Sequence, residues 1–297
     1  MIALKATHSN TYAAIAPTLP QLSTAGKSAF VTGGGARGIG AAIASSLVRS
    51  GITSIGLLGR QEDKLRESEA ALRVLSPTVD IHVYAGVDVR DIAAVKKAVT
   101  DFAASAKGSI PGKIDILVTN AGYMPQQLKD LQAYQSEVDR ADWWSVFEIN
   151  VLGNFNVVQA FQPVAAPGAS VVHISSMVAD MPYVPTNGVY SASKVAATKL
   201  FEYVHNENPD LFVVQVHPGL ILTTDMAESF RDAVQGYTGI DVELPGDFVN
   251  WVVSPEARFL NGRFVDAEWD IDELKAHESE LKKDLRKYTV GILGLEY

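Results

Sequence analysis

Short apolar runs alternate with amphipathic stretches over most of this chain. The runs Ser28–Thr32, Ser54–Leu58, Ile81–Val87, Ile114–Thr119, Ser170–Ser175, Leu211–His217 and Gly262–Val265 are strand-length and mostly β-branched. Between them, Gly38–Ser50 spaces Ile39, Ile43, Leu47 and Val48 as one helical stripe. Glu62–Leu75 sets Leu65, Leu72 and Leu75 among charges, and Ile92–Phe102 places Ile92, Val95, Val99 and Phe102 on one face. Asp142–Phe161 and Val189–Asn206 are longer and more apolar helical candidates. This alternation predicts an α/β fold, a doubly wound parallel sheet with helices on both faces. No repeat, linker or composition break divides the chain, so one domain over 27–270 is expected. Asn10–Leu22, rich in Ala, Pro and Thr without a period, reads as part of an irregular arm over 1–26, and 271–297 as a tail helical in part.

Composition narrows the classes. Of 297 residues, 47% are hydrophobic and 20% charged, enough for a sizeable core and too apolar for a disordered chain. A net charge of −9 argues against a nucleic-acid partner, which needs a basic surface. The absence of cysteine removes disulfides, thiolate nucleophiles and Cys-based zinc sites. No apolar stretch approaches the ~20 residues that span a bilayer, and Met1–Lys27 lacks the apolar core of a signal peptide. A cytoplasmic location without a membrane partner is the expectation.

The first strand runs into Thr32-Gly33-Gly34-Gly35-Ala36-Arg37-Gly38-Ile39-Gly40, and a helix follows. Alone, such a cluster is equally a structural turn. Strand before and helix after are the context in which glycines let backbone N–H groups approach a pyrophosphate at a helix N-terminus. In many dinucleotide folds an acid ~20 positions on binds the ribose 2′-OH. Here that position is Arg60, at the end of the second strand, and Arg37 lies inside the loop. Two guanidiniums and no acid at this edge favour NADP(H) over NAD(H), although Glu62 and Asp63 follow closely.

From Lys27 to about Asp270 the chain resembles the short-chain dehydrogenase/reductase family. Gly34, Gly38 and Gly40 keep that family's glycine spacing, but Thr32 lies one residue further upstream, which leaves open which of Gly33, Gly34 and Gly35 touches the cofactor. Asp88-Val89, after the third strand, resembles the adenine-binding pair, and Asn120-Ala121-Gly122, after the fourth, matches the family's Asn-Ala-Gly, with Thr119 where a further Asn is usual. Tyr190-Ser191-Ala192-Ser193-Lys194 supplies Tyr-x-x-x-Lys, two residues on one helix face. Of Ser175 and Ser176, Ser176 stands nearer the family's Ser–Tyr spacing. Asn150 matches the helix Asn that completes the tetrad. Pro218-Gly219-Leu220-Ile221-Leu222-Thr223 resembles the segment that closes over the nicotinamide, with Ile221 and Thr223 as its carboxamide and phosphate contacts.

The resemblance implies a Rossmann-type fold and a dehydrogenase/reductase acting on CH-OH/C=O. Tyr190 would exchange a proton with the substrate oxygen, Ser176 would hydrogen-bond that oxygen, Lys194 would hold the ribose and tune Tyr190, and Asn150 would hold a water. A free tyrosine has a pKa of about 10. A cation ~4 Å away at an effective dielectric near 20 contributes about 4 kcal/mol, roughly three pKa units, so Lys194 together with an oxidised nicotinamide is expected to bring Tyr190 into working range.

No histidine has a partner at metal-ligand spacing, and no metal site is expected; His173 reads as a core or supporting residue. Residues 224–248 would form a lid carrying Met226, Phe230, Tyr237 and Phe248, with Trp143, Trp144, Met177, Met181 and Tyr183 as further apolar walls. These lean toward a bulky, partly apolar substrate, while Asp225, Glu228 and Asp232 disfavour an anionic one. Asn10-Thr11-Tyr12 through Pro20 and Leu260–Asp270 resemble a fungal subgroup that includes enzymes tailoring secondary metabolites. The family's habit of pairing through its two long helices implies a homodimer or homotetramer. Redox-neutral isomerisation, epimerisation or cyclisation with bound NADP(H) is the competing activity; a non-catalytic redox sensor is disfavoured by the intact tetrad.

Overall fold

The computed structural model describes residues 4, 6–35, 37–124, 139–181, 187–228 and 236–291. Seven strands among them form one parallel sheet: β1 (Ser28–Thr32), β2 (Ser54–Gly59), β3 (Asp80–Ala85), β4 (Ile114–Thr119), β5 (Ala165–Ile174), β6 (Phe212–His217) and β7 (Arg263–Asp266), in the order β3-β2-β1-β4-β5-β6-β7. The helices that cover it are α1 (Ile39–Arg49), α2 (Glu62–Leu75), α3 (Ile92–Ser105), α4 (Arg140–Phe147), α5 (Asn154–Phe161), α6 (Gly188–Glu207), α7 (Asp225–Glu228), α8 (Glu243–Val252), α9 (Ile271–Ala276) and α10 (Glu278–Lys283).

Parallel strands buried on both faces explain the near-continuous apolar runs. Alternate residues of one strand enter opposite cores: Ala29 and Val31 of β1 join α1, α2 and α8, whereas Phe30 joins α3, α5 and α6. The strand expected from Ser170 begins at Ala165. Ile114 pairs with Ala165 and Ile116 with Ser170, so the register shifts in between, with Gly168 at φ +71° in that stretch. The helix expected over Asp142–Phe161 runs from Arg140 to Phe161 but contains a π-turn, Glu148–Gly153. Apolar spacing carries no sign of one extra residue in a turn.

The N-terminal arm packs onto the body. Ile15 and Leu22 are fully buried beneath it, and Thr7 bridges Trp269. His8 stacks on Tyr12 and its Nε2 lies 2.8 Å from Asp270 Oδ2. One carboxylate joins the arm to α1 and α8. Asp247, 1% exposed, accepts from Thr11 Oγ1 at 2.6 Å, Ser46 Oγ at 2.7 Å and Arg49 Nη2 at 2.7 Å. The helices can approach this closely because α8 offers a glycine: a Cβ on Gly246 would sit 2.7 Å from Ala42 O.

Phe248 corrects the reading of the lid. It lies inside α8, has no exposed surface and packs against Trp251, so it is core and no wall of a substrate site. Phe230, Asp232 and Tyr183 lie outside the described residues, as does the side chain of Glu228.

Replacing Asp247 with Ala leaves buried Ser46 and half-buried Arg49 without their acceptor and releases the exposed Thr11 hydroxyl. The expected loss is about 3 kcal/mol, read as a lower urea midpoint at unchanged slope. A loss below about 1 kcal/mol would contradict the assignment of Asp247 as the junction of arm, α1 and α8.

Candidate active site

Strand order reverses at β1 and β4, so their carboxyl ends face a crevice, the place where open α/β sheets bind ligands. A cleft of about 990 Å³ opens there. Its floor is tied by Asn120, whose Nδ2 donates to Thr32 O and Gly33 O, both at 3.0 Å. The Thr32 hydroxyl accepts in turn from the N–H groups of Asn120 and Ala121.

The glycines divide into two roles. Gly33, exposed at φ +68°, and Gly35 line the cleft with Arg37, Gly38 and Ile39. Gly34 is buried, its carbonyl accepts from Ser68 Oγ at 2.8 Å, and an added Cβ would lie 3.0 Å from Leu57. Gly40 is likewise absent from the lining. Its Cβ would meet Gly33 O at 2.3 Å, so it is the glycine of close helix approach. The extra loop residue is therefore accommodated by tucking Gly34 under α2; Ala36 lies outside the described residues.

Arg37 and Arg60, both exposed, line the same cleft, together with Asp88, Val89, Asn120, Ala121 and Gly122. The Asp88 carboxylate is already held by Arg90, through Nη2 at 2.7 Å and the backbone N–H at 2.9 Å. Arg90, with Arg60 further off, keeps that carboxyl below its ordinary range.

At the other end, Tyr190 and Lys194 project from α6 beside Ser176. Ser176 lines the cleft with Tyr190 and Lys194, while Ser175 turns away to Thr198 Oγ1 at 2.9 Å. Lys194 is 4% exposed, donates to Ile174 O at 2.9 Å and stands 5.6 Å from the Tyr190 ring centre. Burial pushes Lys194 down to about 8. It pushes Tyr190 up to about 12, against the opposing influence of the nearby Ser176 side chain. The downward shift expected from a neighbouring cation is thus not produced by the protein's own groups: desolvation of the phenolate outweighs it. Asn150, buried in the π-turn, does not line the cleft. Its amide brackets the Tyr123 backbone, accepting from N at 2.7 Å and donating to O at 2.9 Å. Gly122 separates it from Lys194, since a Cβ there would lie 3.5 Å from Asn150 Oδ1 and 3.9 Å from Lys194 Nζ.

The model of the short chain dehydrogenase family matches residues 27–235. The chain belongs to the short-chain dehydrogenase family. The chain is 30% identical over 289 residues to the short chain dehydrogenase/reductase AacuD of Aspergillus aculeatus, covering 96% of this chain and 95% of that one. It is 31% identical over 285 residues to the short chain dehydrogenase andI of Emericella variicolor, covering 92% and 91%. Among solved structures, a dehydrogenase/reductase from Sinorhizobium meliloti 1021 superposes with TM-score 0.69 at 27% identity over 84% of this chain and 97% of that one. A short chain dehydrogenase from Burkholderia cenocepacia J2315 in complex with NADP does so with TM-score 0.69 at 25% identity over 82% and 96%.

In this family member Pro218, Gly219 and Ile221 line the cleft, but Thr223 is exposed and outside it. Thr224 lines it instead, and its Oγ1 accepts from Ala227 N at 3.0 Å. A Thr ahead of a short helix is a capping signal that points to 224 over 223. Met177, Met181, Met226 and Tyr237 line the outer cleft, whereas Trp143 and Trp144 stack on each other away from it. Lys64, Met124, His217 and Glu268 are lining residues that sequence reasoning missed. His173 is a core residue, stacked on Phe201 and bonded to Thr119 Oγ1 at 3.0 Å.

His217, Asp266 and Glu268 bring ligand atoms within 4.8 Å of one another. His217 Nδ1 accepts from Met177 N–H at 3.1 Å, so the neutral ring carries its proton on Nε2 and offers a donor there, not a lone pair. Burial and Lys194 hold the ring down to about 4, which keeps it neutral. This corner is polar, but its tautomer is wrong for a metal.

Gly33→Ala forces a side chain into the left-handed region and puts its Cβ 2.8 Å from Asn120 Nδ2. The strain is about 1–2 kcal/mol, so dinucleotide affinity by fluorescence titration is expected to weaken about ten-fold or more; unchanged affinity would remove Gly33 from the cradle.

Proposed function

We propose that this dehydrogenase uses NADP(H) to reduce a ketone, or oxidise a secondary alcohol, on a bulky and partly apolar substrate. The observation that carries the reading is the gathering of Tyr190, Ser176 and buried Lys194 at one end of a cleft whose other end is a glycine loop flanked by two arginines.

The cradle suits a dinucleotide. Gly33 and Gly35 leave the loop backbone bare toward the cleft, and Gly40 lets α1 start hard against it. Arg37 and Arg60 are suited to a 2′-phosphate, with Asp88, Val89 and Asn120–Gly122 on the adenosine and ribose side and Pro218, Gly219 and Ile221 on the nicotinamide side. The Burkholderia relative's complex with NADP supports that choice. Bound there, the nicotinamide supplies or accepts the hydride.

The chain's own groups handle the proton. Burial holds Tyr190 as a neutral phenol, so its hydroxyl is ready to protonate a carbonyl oxygen in the reductive direction. Ser176 gives that oxygen a second hydrogen bond as negative charge develops. Lys194 holds ribose hydroxyls and places a positive charge near the phenol as it loses its proton. Asn150, across Gly122 from Lys194, holds a water that links the lysine to solvent. The Met177, Met181, Met226 and Tyr237 wall supports an apolar substrate body. The resemblance of both chain ends to a fungal subgroup that includes enzymes tailoring secondary metabolites, with the fungal origin of AacuD and andI, supports a setting in secondary metabolism. Trp144, Leu152, Phe155 and Tyr203, all exposed on the α4–α6 side, support a homodimer or homotetramer. No described helix is long and apolar enough to cross a membrane.

Tyr190→Phe is expected to lower kcat by about 10³-fold with NADPH binding retained. Full turnover in that variant would overturn the roles assigned here.

A further inference from the structure

One ion pair joins parts of the fold that are far apart in the sheet. Lys64 stands in the first turn of α2, which follows β2; Asp225 opens α7, which follows β6; their side chains pair. Between β2 and β6 lie β1, β4 and β5, a span of roughly 19 Å at the ~4.8 Å strand spacing. Both residues line the cleft. The Lys64 stem rests on the glycine loop, its Cβ 3.3 Å from where a Cβ on Gly35 would stand. On the other side, Thr224 Oγ1 donates to Ile221 O at 3.4 Å and caps α7, so the position of Asp225 is coupled to the wall that runs from Pro218.

We propose that Lys64 and Asp225 form a clasp across the mouth of the cleft, which slows the departure of a bound dinucleotide. This rests on the dinucleotide reading above. Neither residue is catalytic; both are positioning residues. The pair is partly solvated, with side chains 33% and 54% exposed, so its effect is modest and sensitive to salt. Its location gives that modest effect a consequence, because a ligand lying along the glycine loop passes beneath it.

The test is the rate of NADPH and NADH release, followed by nucleotide fluorescence after rapid mixing, in the full chain and in Lys64→Gln, Asp225→Asn and the double variant. The clasp predicts release about two- to five-fold faster in each single variant, no further gain in the double, the same factor for both nucleotides, and its disappearance near ~1 M salt. Lys64→Arg is expected to keep slow release. Weaker NADPH binding in Lys64→Gln together with slower release in Asp225→Asn would make Lys64 a phosphate ligand and overturn the clasp. Unchanged release in all variants overturns it alone. Failure of the unmodified chain to bind either nucleotide overturns the dinucleotide reading and the clasp together.

Discussion

The Asn120 amide reaches from the end of β4 to the carbonyls of Thr32 and Gly33 at the end of β1, and Thr32 answers with a hydroxyl that accepts from Asn120 and Ala121. This reciprocal tie fixes the floor of the crevice where strand order reverses. Everything above it is placed by reference to that floor. Gly33, left-handed and bonded to Asn120, must be bare because a Cβ would lie 2.8 Å from Asn120 Nδ2, and Gly40 must be bare because Gly33 O lies where its Cβ would be. Gly122 lies between Asn150 and Lys194, with room for no more than an ordinary contact to either. Gly33 and Gly40 are thus consequences of close backbone approach at one seam, and the cleft is the volume that the seam leaves open.

At the chemical end, burial outweighs charge. Lys194 is driven down and Tyr190 up by the same loss of solvent. His217, nearby, is held neutral by burial and by the Lys194 charge. A phenol in such a site keeps its proton, which suits donation to a carbonyl. Running the reaction the other way needs an additional positive charge close to the ring, because the protein's own lysine does not offset desolvation.

Much of this was legible in the order of residues. Apolar runs flanked by amphipathic stretches carried the parallel sheet, because two-sided burial leaves a continuous signal. Tyr190, Lys194, Ser176 and Asn120 were singled out by resemblance to family motifs that follow particular strands, and they line one cleft. What escaped depends on direction in space. Nothing in the string says that Gly34 faces Leu57 and Ser68 while Gly33 faces solvent, or that Thr224 turns into the cleft and Thr223 out. Phe248 read as a lid residue because an apolar side chain near a loop looks the same whether it covers a ligand or packs under α1. Lys64 and Asp225 are distant in sequence and meet only because the sheet brings their loops to one rim.

The central claim, net hydride transfer driven by NADPH, is tested most directly by deuterium transfer from NADPH labelled at C4 across a panel of bulky ketones. The account predicts one deuterium at the new carbinol carbon, one NADPH oxidised per alcohol formed, and slower transfer from labelled NADH. Product formed without net NADPH oxidation, or a preference for NADH, would contradict it.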